Sequence, residues 1–236
     1  LAQGRYREAE AAATHALSLG DEHGAGAIAY RINVGIAQQC RGKTADAIAT
    51  YRTALADAER HREGDALERV QILVNLAEAL SLQGDHDGAR TAVARASTEL
   101  DAVAPAEHPA RAMVLASEAA TARRRGDAPA ALSAAERAAA FEGLPPPWRM
   151  PVLLELGEAL LANARGSEAI PFLREAAALT GFDARVSAQV AAALSHALIS
   201  TGATTEAQSI AAAALANYPE EGEPMLRNTL TVLAGG

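Results

Sequence analysis

Through residues 76–96, LAEALSLQGDHDGARTAVARA, apolar positions recur at the three- and four-residue spacing of a helix face, and they change in kind along the way. Leucine fills them at Leu76 and Leu80, Gly84 interrupts, and alanine takes over at Ala89, Ala92 and Ala96. Ala77, beside Leu76, is small as well. No stretch shows the period-two alternation of a half-buried strand, and runs of β-branched residues are absent. The apolar half of the sequence is mostly alanine and leucine, the strongest helix formers. The pattern predicts an all-α chain whose helices approach closely, because alanine fills little space between backbones.

Self-comparison extends this unit over the whole chain. Segments beginning at Gly4, Gly42, Gly84, Gly126 and Gly202 carry alanine five residues on, at Ala9, Ala47, Ala89, Ala131 and Ala207. Alanine returns seven residues later at Ala16, Ala54, Ala96, Ala138 and Ala214. A sixth copy keeps Ala169 and Ala176 but has Ala164 where the others have glycine, with Gly166 two residues further. The copies start 38, 42, 42, 38 and 38 residues apart. Upstream of each glycine lies an apolar–small pair: Val34-Gly35, Leu76-Ala77, Leu156-Gly157 and Leu194-Ser195, with Glu118-Ala119 as a weaker match in the fourth copy. Each unit therefore reads as a helix, a glycine turn and a second helix, with small residues where the two helices meet. Asp85 and Asp87 suit the start of a second helix as caps.

This arrangement resembles the tetratricopeptide repeat (TPR), with a unit longer than the usual one and like that of kinesin light chains. The segment EHPARAMVLASEAA (107–120) is similar to the His-Pro opening of the first helix in that group. The resemblance implies an all-α, right-handed superhelical α-solenoid of antiparallel helix pairs. Residues 1–19 are expected to be the second half of a truncated repeat, followed by repeats at 28–61, 70–103, 112–143, 150–181 and 188–219. Residues 223–236 are expected to form a capping helix or the first helix of a further repeat. Lengthened inter-unit turns are expected at 18–26, 58–65 and 102–109. The proline-rich connection at 144–151 is expected to be an extended polyproline segment. Trp148 is expected to plug the seam between the fourth and fifth units.

Charge narrows the function classes. A formal net charge of −8 opposes a general nucleic-acid binder, which needs a basic face for phosphate, and gives no attraction to anionic lipid. No apolar run reaches the length of a membrane span. Cys40 is the only cysteine, which excludes an internal disulfide and fits a cytoplasmic protein. The arginine- and alanine-rich composition points to a high-GC bacterial source. The chain opens without methionine inside a half-finished unit, and reads as a fragment of a longer protein.

The candidate chemical sites fail on geometry. His86 between Asp85 and Asp87 has no second histidine at ligand spacing, so no metal is expected. Ser195 and His196 are adjacent on a helix and point apart, so they form no nucleophile–base pair. Residues 24–27, GAGA, follow no strand and form no dinucleotide loop. Arg123-Arg124-Arg125 crowd a helix end, where cations complement the dipole. Glu155 and Glu158 lie on one side of one helix without an opposing acid. No enzyme and no cofactor are expected.

The resemblance instead implies a binding face. In TPR proteins the first helix of each unit lines the concave wall, and the matching positions here include Ile32, Asn33, Ile36 and Gln39, then Gln71, Val74, Asn75 and Glu78, then Arg123, Glu155, Glu158 and His196. Asn33 and Asn75 fall at the same position of consecutive units, and asparagine offers both donor and acceptor to an extended peptide backbone. Ile32, Ile36 and Val74 are expected to take its apolar side chains. The chaperone-tail clamp of some TPR proteins needs lysine and asparagine where this chain has Ile32 and Ile36, so that ligand is rejected. A peptide bearing apolar residues and a basic one matches the acidic wall better.

The expected function is a non-catalytic scaffold binding a protein or peptide partner in the concave groove, with no nucleic acid or membrane contact. The alternative is a sensor, regulatory or self-assembly arm of a larger bacterial signalling protein. Similar arrays occur in nucleotide-switched, LuxR-type or antibiotic-regulatory transcription activators, and beside caspase-like protease domains.

Overall fold

The computed structural model describes residues 5–20, 25–60, 66–179 and 183–236. Gly4, Gly24 at the head of GAGA, and parts of the inter-unit turns at 21–24, 61–65 and 180–182 lie outside the described residues. Among the described residues twelve helices follow one another: α1 (Tyr6–Leu19), α2 (Ala25–Cys40), α3 (Thr44–Arg60), α4 (Ala66–Gln83), α5 (His86–Val103), α6 (Ala110–Arg124), α7 (Ala128–Ala139), α8 (Pro146–Ala162), α9 (Gly166–Ala178), α10 (Ala184–Ser200), α11 (Thr204–Asn217) and α12 (Pro224–Leu233). Among the described residues there is no strand. Each helix packs on its chain neighbours, and the even-numbered helices also pack on one another in series from α4 to α12. The odd-numbered helices form the other layer and do not pack together to a comparable extent. The result is an α-solenoid of antiparallel helix pairs.

The small residues sit where the layers meet. Ala47, Ala54, Ala77, Ala89, Ala96, Ala131, Ala138, Ala169, Ala176 and Ala207 are fully buried. A Cβ on Gly35 would lie 2.4 Å from the Tyr51 ring, and one on Gly157 would lie 2.4 Å from Leu173. Ser195 fills the matching place with a hydroxyl that donates to the Ala207 carbonyl oxygen at 3.0 Å. Stability is distributed along the stack. Four apolar clusters succeed one another, from Ile28, Tyr51 and Leu73 at one end to Tyr218, Leu226 and Leu230 at the other.

The turns inside the pairs share one geometry. The N–H groups of Lys43, Asp85, Asp127, Arg165 and Ala203 each reach back five residues to a carbonyl at 2.9 Å. This is the Schellman ending, which needs a left-handed residue just past the helix. Gly84 supplies it with φ +90°, and Gly42, Gly126 and Gly202 do the same. Ala164 is forced into it with φ +57°. Left-handed backbone costs a non-glycine residue about 1–2 kcal/mol, and the looser unfolded chain of glycine gives back about 0.4–1 kcal/mol. Ala164→Gly is therefore expected to raise the melting temperature by roughly 1–4 °C in a thermal scan. Asp85 caps α5, accepting from the Gly88 N–H at 2.9 Å, and Asp127 caps α7 through Ala130 at 3.2 Å. Asp87 caps nothing; it lies in the first turn and faces Arg90 at 3.6 Å.

The proline-rich segment departs from the expected extended form. Pro145 is extended (φ −61°, ψ 149°), but Pro146 and Pro147 open α8. The Trp148 and Arg149 N–H groups both donate to the Pro145 carbonyl oxygen at 2.9 Å. Proline is tolerated in a first turn because the N–H it lacks has no helical partner there. Trp148 lies half-buried against the cluster of Ala112, Ala138, Leu144 and Val152, over the α6–α7–α8 junction.

Candidate functional site

The even-numbered helices form the inner wall, and four of them enclose a cleft of about 110 Å³. Val74 and Glu78 of α4, Ser117 and Arg124 of α6, Leu154 and Glu155 of α8, and Arg185 and Gln189 of α10 are among its lining. That volume is well below the roughly 300–1,000 Å³ of small-molecule clefts. Wider clefts of about 410 and 350 Å³ open on the outer side between α5 and α7.

Charged groups on the wall pair with one another. Arg123 forks between Glu155 and Glu158, at 3.2 Å to each, so the acidic patch expected there is an internal triad. Among the described residues of the wall helices, Ser81 Oγ and Arg123 Nε are buried polar atoms without a hydrogen-bond partner, and two further donors share that state. Asn75 Nδ2 and Arg124 Nη1 are buried atoms without a hydrogen-bond partner.

One side of the cleft is bordered by contacts between parts of the chain far apart in sequence. Arg185, 5% exposed, donates through Nη1 and Nη2 to Glu78 Oε1 at 3.1 Å each and through Nε to Glu223 Oε2 at 3.2 Å. Its backbone N–H donates to Asp183 Oδ1 at 2.7 Å and to the Tyr6 hydroxyl oxygen at 3.1 Å. The Tyr6 hydroxyl in turn donates to Asp183 Oδ1 at 3.1 Å. The buried Cys40 thiol approaches the same carboxylate at 3.8 Å, and burial together with Asp183 pushes its pKa up. Arg7 meets Glu221 at 3.1 Å. The α2–α3 turn at Gly42 lies against Pro224 and Glu223. Glu223 is placed by its own N–H, which donates to the Tyr218 hydroxyl oxygen at 2.9 Å; burial lifts the pKa of that hydroxyl to about 12. Burial acts to raise the Glu78 pKa, but Arg185 and Arg124 outweigh it and hold the carboxylate below its usual range.

The residues predicted from sequence separate into groups. Val74, Glu78 and Glu155 line the cleft, and Arg123 and Glu158 adjoin it through the triad. Gln39 is buried, accepting from the Tyr51 hydroxyl at 3.2 Å and hydrogen-bonding Glu78. Asn33, Gln71 and His196 are exposed and Asn75 is half-buried, but none of the four lines the cleft. Ile32 is a correction. It is 6% exposed and part of the core around Ile28 and Tyr51, so it cannot receive a ligand side chain. Ile36 packs partly against the same core. Asp183, Arg185, Glu223 and Tyr6 were not anticipated as site residues. The repeat frame starts the sixth unit at residue 188, whereas α10 begins at Ala184 and brings Arg185 onto the wall one turn earlier. An arginine next to a capping Asp183, at the head of an apolar helix, was the signal available.

The sequence model of the tetratricopeptide repeat matches residues 26–98. No curated protein matches the sequence. Among solved structures, a thermophilic TPR protein of Thermus thermophilus is similar at 19% identity over 87% of this chain and 98% of its own, with a TM-score of 0.61. BtubC (BKLC) from P. vanneervenii aligns at 17% identity over 90% of this chain and 87% of its own, TM-score 0.60. The nearly identical TPR-like repeats of a Podosopora anserina putative kinesin light chain align at 19% identity over 82% and 96%, TM-score 0.57.

Proposed function

Since residues 26–98 are tetratricopeptide repeats and the chain has the solenoid fold of TPR proteins, we propose that it is a non-catalytic scaffold that receives a segment of a protein partner along its inner wall. TPR solenoids serve in general as protein-interaction scaffolds, and such folds present an extended wall built from successive repeats. The observation that carries the reading is a set of buried donors without partners on the adjacent wall helices α4 and α6, with Asn75 Nδ2 and Arg124 Nη1 among them. Buried polar atoms in native proteins are nearly always satisfied, so these two suit the carbonyl oxygens of a bound chain. The lone buried thiol and the composition support a bacterial cytoplasmic setting.

A quantitative pull-down from host lysate tests this, comparing the wild type with the double variant Asn75→Ala/Arg124→Met. Capture of one partner by the wild type and its loss from an equally stable variant supports the reading. Equal capture by both removes the inner wall as the site. The contacts between the chain ends favour a second reading, a regulatory arm of a larger signalling protein whose groove is opened and closed.

A further inference from the structure

We propose that the Arg185 clasp is a gate over the inner wall, and that the segment which opens it carries a basic side chain that replaces Arg185 between Glu78 and Glu223. The inference rests on the scaffold reading above and names the chemistry of its partner.

Three observations carry it. First, closure is made by side chains. Consecutive helices share continuous apolar clusters, whereas α1 and α2 do not pack on α10 or α12 to any comparable extent. The ends meet through hydrogen bonds and ion pairs spanning 107 to 214 residues, with the Gly42 turn against Pro224 and the buried Tyr6 as local packing. A link of this kind can part without unstacking the solenoid. Second, Arg185 and Glu78 both stand in the lining of the cleft, so a side chain that takes the place between Glu78 and Glu223 requires the link to part. Third, the charges select the occupant. Around cleft and clasp stand five carboxylates, Glu78, Glu155, Glu158, Asp183 and Glu223, against the guanidinium groups of Arg123, Arg124 and Arg185. Opening the clasp alone strands Glu78 and Glu223 without their cation. Exchanging Arg185 for an incoming arginine or lysine keeps them paired, while an acidic segment would add to the negative excess.

The test uses a fluorescent peptide of alternating leucine and arginine with blocked ends, beside its leucine–glutamate counterpart. In Arg7→Cys/Glu221→Cys the clasp is sealed covalently by a short bismaleimide. Cys40 is buried with its thiol pKa pushed up, which directs the reagent to the introduced pair. Fluorescence anisotropy is expected to show binding of the basic peptide at least about tenfold weaker after sealing than before. In Arg185→Met it should bind at least about tenfold tighter than to the wild type, a change near 1.4 kcal/mol. The acidic peptide should bind every form more weakly than the basic one. Equal binding before and after sealing overturns the gate, and if that binding is lost in Asn75→Ala/Arg124→Met the scaffold reading stands without it. Preference for the acidic peptide overturns the assigned chemistry. Should Arg185→Met not fold, the sealing comparison decides alone, and absence of binding by any form also overturns the gate.

Discussion

Arg185→Met is expected to lower the melting temperature by roughly 6–12 °C and to enlarge the radius of gyration in solution scattering. Methionine keeps the aliphatic packing of the arginine stem, so the loss falls on the charges. Glu78 and Glu223 lose the cation that holds them, at 3.1 and 3.2 Å. Removing one partner of a buried ion pair costs about 3–5 kcal/mol. The lower end, about 3 kcal/mol, applies here because the Glu78 side chain is a third exposed and solvent screens part of its charge. Expansion accompanies destabilisation because Arg185 joins parts of the chain that stacking alone does not hold together. A variant that lost stability without expanding would mean that the ends stay joined by Tyr6, Asp183 and Arg7.

Acid should act on the same link. The folded state holds the Glu78 carboxylate below its ordinary range, so its contribution is complete above the unfolded value of about 4.3 and is lost as the pH falls from there through the folded value. Glu78→Gln should be less stable than the wild type at neutral pH, and the difference should shrink as the pH drops below about 4.3. A difference that stays constant down to strong acid would show that Glu78 acts through packing alone.

The second large effect concerns the seam between α2 and α3. Tyr51 is fully buried, and its ring occupies the space that glycine leaves at Gly35. Tyr51→Ala is expected to cost about 3–5 kcal/mol, the usual range for a large buried aromatic, and it also removes the donor to Gln39. Gly35→Leu alone drives a side chain into the ring and should cost about 1–3 kcal/mol. The double variant refills the cavity it creates, so its loss of stability should fall short of the summed losses of the singles by about 1 kcal/mol or more in denaturant unfolding. Strict additivity would mean that the two residues do not share the space. Gly157 and Leu173 stand in the same relation further along the stack, and should behave alike.

These seam residues were readable because the contacts behind them are local. A helix and its partner are joined by a short turn, so the small residue at Gly35 or Ala77 and the alanines at Ala47 or Ala89 meet within a few turns of each other along the chain. Every copy faces the same steric demand and shows the same residue pattern. The left-handed turn was readable for the same reason, down to the copy that has Ala164 in place of glycine. Helix starts were less readable. Proline at Pro146 and Pro147 is compatible with both an extended segment and a first helical turn, and only the free N–H positions of α8 decide between them.

The inner wall was legible as a row of positions but not in what those positions do. Glu155, Glu158 and Arg123 were recognised as wall residues, yet their mutual pairing depends on how α6 and α8 cross. Ile32 was read as open to a ligand, but the core around Ile28 and Tyr51 covers it. The clasp could not be read at all. Sequence by itself determined the helical units and the small-residue seams, because each is fixed by interactions between neighbours in the chain. Only the tertiary structure brought Tyr6, Glu78, Arg185 and Glu223 together. Their meeting depends on small rotations summed from unit to unit, and no local pattern encodes that sum.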